Sequence, residues 1–186
     1  NRAWFEVVDA SPAEAARVRY WDKAGTEGGG DNTAGVRMAR SEDGVYYVED
    51  CEAGQWGALR RNRVIRQKAE ADGHEVDVWL EQEPGSGGKE SAEISVVELA
   101  GYTVRAERPT GRLLHRAGPL SAQAEAGNVK LVRGPWNEAF LAEYHSFDGS
   151  GRGLDDRVAA GSGAFNKLAL GGPAVRVTTP GGERSA

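Results

Sequence analysis

Four acidic side chains stand at places where a carboxylate could do chemistry. Asp22 closes the aromatic run "RYWD" and opens a loop with glycines at 25, 28, 29 and 30, which Asp31 ends. Glu81 closes "EVDVWLE" just before "QEPGSGG", and the pair Asp155–Asp156 opens "DDRVAAGSGAF". Carboxylates brought together repel unless something positive sits among them. The matching partner is a hard divalent cation that takes oxygen ligands, keeps waters and shares phosphate oxygens, which describes magnesium or manganese. Two such ions about 4 Å apart can activate a water and stabilise a leaving oxygen in phosphodiester cleavage. Glycines after Asp22 would let a phosphate and metal waters approach the backbone closely. Singly, a strand-end Asp is also a turn residue and a double Asp is also a helix cap. Their joint placement is what points to a metal site.

That placement depends on the elements that carry the acids. Arg17 to Asp22 reads as a strand, and Thr33 to Arg40 and Val45 to Asp50 as two more, joined by the turn "SEDG". Residues 54 to 72 read as a helix stopped by Gly73. "EVDVWLE" is a strand, Lys89 to Ala100 a helix closed by Gly101, and "YTVRAE" a strand. A helix over 111 to 126 ends at Gly127, "VKLV" is a short strand, Pro135 starts the helix of "WNEAFLAEYHSF", and a last helix spans 154 to 169. Strand–helix alternation implies right-handed crossovers and parallel pairing. The expectation is an α/β fold with a ribonuclease H-like mixed sheet, an antiparallel three-strand start followed by parallel strands, flanked by helices. Residues 1–170 would form this domain and 171–186 a tail. In such a sheet Asp22 and Glu81 emerge side by side at the carboxyl edge, where open α/β sheets place ligands. The last helix brings up Asp155 or Asp156. Leu154, Val158, Gly161, Phe165 and Leu168 mark its buried stripe, which favours Asp155; if Asp155 is the cap, Asp156 gains.

Bulk properties narrow the class. The 186 residues suit one domain, and 39% hydrophobic with 27% charged residues argues against general disorder. No apolar run approaches a membrane span and no signal peptide opens the chain. The single cysteine, Cys51, excludes an intrachain disulfide and a multi-cysteine zinc site, and suits an intracellular setting. Starting at Asn1 rather than methionine points to a processed product or an excised domain. A net charge of −5 does not favour nucleic-acid binding in bulk. Two basic clusters run against it: "RRNRVIRQK" at 60 to 68, and Arg105, Arg108, Arg112 and Arg116. The later cluster is expected on the face bearing the acids, with Arg112, Arg116 and Lys89 as candidate DNA contacts, while the earlier helix covers a sheet face. Other motifs fail. "PGSGGKE" has Glu83 where a phosphate loop needs its first glycine, and Glu90 where it needs Ser or Thr. The Asp22–Asp31 loop lacks EF-hand ligands, and His74, His115 and His145 lack metal spacing.

The segments "RYWDKAGTEGGGDNTAGVRMARSEDGVYYVED", "VDVWLEQEPGSGGKE", "HRAGPLSAQAEAGNVKLVRGPWNEAFLAEYHSF" and "LDDRVAAGSGAF" resemble, in order and over residues 17 to 168, the nuclease domain of the large terminase subunit of tailed bacteriophages. The resemblance implies an endonuclease using two magnesium or manganese ions to cut concatemeric double-stranded viral DNA in the host cytoplasm. It maps the metal-binding acids onto Asp22, Glu81, Asp155 and Asp156, with Asp31 as a helper. It also implies an upstream packaging ATPase, a small terminase subunit and a portal as partners, and no membrane. Three positions depart from the family pattern. Ala159 replaces a third Asp, Leu154 replaces a His, and Arg112 stands near a common lysine, though arginine is a poor proton donor. No Walker A motif is present, so the chain can cut but cannot pump. Rival readings are a junction resolvase of the same fold and a DNA- or capsid-docking module that keeps the fold without cutting.

Overall fold

The computed structural model describes residues 1–23, 32–82 and 86–170, with residues 86–89, 91 and 92 described by backbone alone. The glycines at 25, 28, 29 and 30, Asp31 and the expected tail at 171–186 therefore lie outside the described residues. Seven strands form one sheet: β1 (Glu6–Val8), β2 (Ala16–Asp22), β3 (Thr33–Arg40), β4 (Tyr46–Gly54), β5 (Asp77–Glu81), β6 (Val104–Glu107) and β7 (Val129–Val132). Their order is β1-β7-β4-β3-β2-β5-β6. The pairs β2–β3 and β3–β4 are antiparallel, and β2–β5, β5–β6, β4–β7 and β1–β7 are parallel. The expected mixed sheet is thus present, with the "SEDG" turn closed by Gly44, whose φ of 86° suits glycine. Its antiparallel start is preceded by β1, which the sequence pattern does not reveal. This strand has only three residues, too short to show alternation.

Helices α1 (Ala58–Asp72) and α2 (Ser86–Glu98) lie on one face, where Ile65, Ala69 and Leu99 pack with Trp21, Val78 and Leu80. Helices α3 (Leu113–Glu125), α4 (Asn137–Ser146) and α5 (Asp156–Leu170) cover the other, where Leu120, Phe140, Ala164 and Phe165 meet Tyr20, Val36, Val48 and Leu131. Side chains alternate along a strand. Tyr20 and Trp21 therefore face opposite layers, and Asp22 returns to the α5 side. Helix α5 comes very close to the sheet because it carries glycines there. A Cβ on Gly163 would sit 2.4 Å from the Tyr20 ring of β2, and on the side facing α4 one on Gly161 would sit 2.1 Å from the Tyr144 hydroxyl. Val158, Gly161, Phe165 and Leu168 are buried as expected, but Leu154 is 52% exposed. It precedes the helix, so the helical count does not reach it. Among the described residues no helix is long and apolar enough to cross a membrane.

The α1 side holds a dense ion network. Arg19, 1% exposed, binds Asp72 and also Asp50 at 2.7 Å; Arg37 reaches Glu49 and Asp72, both at 2.8 Å. Arg17 pairs with Glu49 at 3.0 Å, and Lys68 with Asp50 at 3.0 Å and Glu52 at 3.1 Å. Burial disfavours the Arg19 charge, but Asp72 and Asp50 outweigh it and hold its pKa above the usual value. Burial likewise pushes Asp50 up, yet Arg19 and Lys68 win and its pKa is lowered. The basic cluster at 60 to 68 contributes one member to this network. Lys68 belongs to the network, Arg61 is buried, and Arg66 pairs with Glu70 at 3.0 Å.

Candidate active site

Three neighbouring parallel strands each end on a carboxylate: β2 on Asp22, β5 on Glu81 and β6 on Glu107. The register places Trp21 beside Leu80 and Glu81 beside Glu107, so the three acids form a row along the carboxyl edge. Leu80 packs in the α1 layer, which turns Glu81 to the α5 side with Asp22. Helix α5 begins over this row. Asp156 is in its first turn and is 6% exposed, and its Oδ2 accepts a hydrogen bond from Asn32 Nδ2 at 3.1 Å. Asp155 is less buried and precedes the first helical residue, its carbonyl accepting the Ala159 N–H at 2.8 Å. Asp155 is thus the cap, and Asp156 is the acid that the helix turns inward.

The start of α5 is fixed from α4. Glu143, buried at 5% exposure, accepts the backbone N–H groups of Arg157 and Val158, and its other oxygen takes the Arg157 guanidinium at 2.7 Å. A carboxylate at a helix N-terminus satisfies orphan donors and meets the positive end of the dipole. This contact sets where the first turn lies, and so where Asp156 points.

The site is electrostatically unsettled. Burial pushes the Asp22 carboxyl well above the usual carboxylate range; Glu81, Asp156 and Asp155 add to the rise, and Arg116 only partly opposes it. Glu81 is raised too, by burial first and Glu107 in addition, against the lowering effect of Arg116 and Tyr20. The fully buried Tyr20 hydroxyl sits among these acids, and burial together with Glu81 and Glu107 raises its pKa. It has no hydrogen bond of good geometry among the described residues. Two cations temper the site. Arg116 Nη1 lies 3.6 Å from Glu81 Oε2, and Lys167 of α5 binds Glu107 while lying 4.1 Å above the Trp79 ring. Among the described residues no three His, Cys, Asp or Glu side chains converge tightly enough to cage a cation unaided. The donors are all hard oxygens, and burial first, then the neighbouring acids, raises Asp22 and Glu81, so an added positive charge would stabilise their ionised forms. That fits a divalent ion completing its shell with water and phosphate.

Asp22, Glu81 and the Asp155–Asp156 pair are therefore brought to one edge. Arg116 joins them and Arg112 stands exposed at the start of α3, while Asp31 falls outside the described residues and only the backbone of Lys89, in the first turn of α2, is described. Glu107, Tyr20, Asn32, Glu143 and Lys167 are additions that the sequence pattern does not single out. Glu107 has a readable signal, since "YTVRAE" ends on an acid as "EVDVWLE" does. The others depend on tertiary contacts between distant parts of the chain or on strand facing.

A mixed sheet in this order, with acids at the ends of parallel strands and a final helix bringing up another, defines a ribonuclease H-like nuclease fold. The profile of the terminase RNase H-like domain family matches residues 19–168, and the chain belongs to that family. Among solved structures, the human cytomegalovirus terminase nuclease domain soaked with manganese is similar at a TM-score of 0.67 and 11% identity, covering 90% of this chain and 92% of that one. The Thermus phage P74-26 large terminase nuclease domain gives 0.64 and 13%, covering 89% and 92%. The large terminase nuclease of thermophilic phage G20c with bound magnesium gives 0.63 and 13%, covering 89% and 94%. These likenesses establish the fold. No curated protein matches the chain's sequence.

Proposed function

We propose that this chain is a divalent-metal-dependent endonuclease that cuts concatemeric double-stranded viral DNA during genome packaging. The observation that carries the reading is the row of acids Asp22 and Glu81 under Asp156, with Asp22 and Glu81 raised in pKa on a terminase nuclease fold. Asp22, Glu81 and Asp156 are the principal ligands in this reading, with Asp155 beside them and Asp31 as a helper. Bound magnesium or manganese, as two ions, supplies the activated water and neutralises the leaving oxygen. The magnesium in the G20c nuclease and the manganese in the cytomegalovirus domain support this choice of ion. The protein's own part is to hold the acids in register at a rigid sheet edge. Asn32 occupies one Asp156 oxygen and leaves the other for coordination. Arg116, Arg112 and Lys89 are assigned to phosphates of the DNA. Glu107 is left out of the ligand set because Lys167 already neutralises it.

Residues 1–170 form the nuclease domain in this account, with 171–186 as a tail. Its partners are a packaging ATPase domain, a small terminase subunit and a portal in an infected host's cytoplasm. The test is supercoiled plasmid incubated with the chain. Manganese should linearise it, chelation should stop the reaction, and Glu81→Gln should abolish it with the circular dichroism spectrum unchanged. Intact plasmid in both magnesium and manganese would leave the docking-module reading as the better account.

A further inference from the structure

The Arg116–Glu81 pair is loosely made for a half-buried pair. The two side chains are 21% and 17% exposed, yet the charges stand 3.6 Å apart. Neither Arg116 Nε nor Glu81 Oε2 makes a hydrogen bond among the described residues, although both atoms are buried. Arg19 shows what a settled pair looks like in the same protein: its Nε and Nη2 both donate to Asp72, and Nη2 also donates to Asp50 at 2.7 Å. The Arg116 backbone, by contrast with its side chain, is held firmly. Its N–H donates to the Arg112 carbonyl at 3.2 Å, and its own carbonyl accepts from Asn166 Nδ2 of α5 at 3.2 Å. Any rearrangement is therefore confined to the guanidinium.

Resting on the nuclease reading above, we infer that Arg116 is an exchangeable countercharge: it holds Glu81 when no divalent ion does, and turns to a DNA backbone phosphate when a divalent ion takes Glu81, so that metal and DNA bind cooperatively. Carboxylate and phosphate offer a guanidinium the same bidentate geometry, so one can replace the other. Arginine stays charged throughout, so the exchange involves no proton. Metal and Arg116 compete for Glu81 in the absence of DNA. DNA relieves the competition by giving Arg116 another partner. Linkage then requires that metal strengthen DNA binding by the factor by which DNA strengthens metal binding.

Calcium is the probe, since it takes oxygen ligands but its irregular coordination suits binding better than cutting. Calorimetric titration of calcium into the chain, with and without a short DNA duplex, reads the coupling. Wild type should bind calcium more tightly with duplex present. Arg116→Ala should bind calcium alone about fivefold more tightly than wild type, the low end of typical coupling between sites, and should gain correspondingly less from duplex. Arg116→Gln, which keeps more of the packing, should behave alike, and the thermal midpoint of each variant confirms folding. If both variants keep the wild-type response to duplex, the exchange does not occur. Failure of wild type to take up calcium or manganese under any condition would instead overturn the nuclease reading on which the inference rests.

Discussion

On the α1 side of the sheet, the cations Arg17, Arg19, Arg37 and Lys68 meet the carboxylates Glu49, Asp50, Glu52 and Asp72. On the α5 side, the carboxylates Asp22, Glu81, Glu107, Asp155 and Asp156 have Arg116 and Lys167 among the described residues. Both groups sit against the same sheet, and both bury charge. In the first, charges match, and the pKa of Asp50 is lowered. In the second, they do not match, and Asp22 and Glu81 are raised. A balanced group can fix a helix to a sheet by itself. An unbalanced one has a place for an added cation, which is the reading proposed above.

The comparison breaks most sharply at Arg19. Arg19→Ala leaves Asp72 and Asp50 without their main partner, and breaking a buried pair in this way costs about 3–5 kcal/mol. Arg116→Ala should cost less than about 1 kcal/mol, because the Arg116–Glu81 contact is long and partly exposed. Urea denaturation in the presence of a chelator measures both, and equal losses would erase the distinction between the two groups. A smaller effect is expected at the seam between α5 and the site. Gly163→Ala forces a methyl into the Tyr20 ring and should cost about 1–3 kcal/mol, the usual penalty of overpacking. It should also weaken manganese binding, since Tyr20 and Asp22 share β2.

The pH dependence of stability separates the groups by sign. The usual values are 3.8 for Asp22 and 4.5 for Glu81, and folding raises both. A raised carboxyl holds its proton better when folded, so its contribution is full below the unfolded value and is lost as pH rises through the folded one. Asp50, lowered from 3.8, does the reverse: its contribution is present above that value and lost as pH falls. In chelator, Asp22→Asn should therefore be more stable than wild type at about pH 8, with the gap closing towards about pH 4. A gap that widens on acidification would mean that Asp22 is not the strained acid described. The smallest effect concerns DNA. Arg112→Ala combined with Arg116→Ala should weaken duplex binding and lower the slope of log K against log salt by about 0.9 for each phosphate no longer neutralised. An unchanged slope would remove both from the DNA track.

Much of this is legible in the sequence. The strand-end positions of Asp22 and Glu81 follow from aromatic and alternating runs that stop at turn-forming segments, and the parallel pairing of β2 with β5 follows from two antiparallel reversals and then the α1 crossover between them. The choice between Asp155 and Asp156 is not legible, because it depends on where α5 begins, and that is set by Glu143 from another helix. The same dependence takes Leu154 out of the buried stripe. The charge balance is hidden too. "RRNRVIRQK" shows five basic residues, and only the folded chain shows Lys68 bound to Asp50 and Glu52.

The central claim is that a divalent metal completes the α5-side acids at Asp22. Asp22→Asn keeps the shape of that side chain and removes its charge. Its plasmid cleavage in manganese, measured with manganese uptake by the same preparation, tests the claim most directly. The account predicts a folded protein that takes up manganese much more weakly and leaves supercoiled plasmid intact while still binding DNA. Cleavage by Asp22→Asn at the wild-type rate, with uptake undiminished, would contradict it.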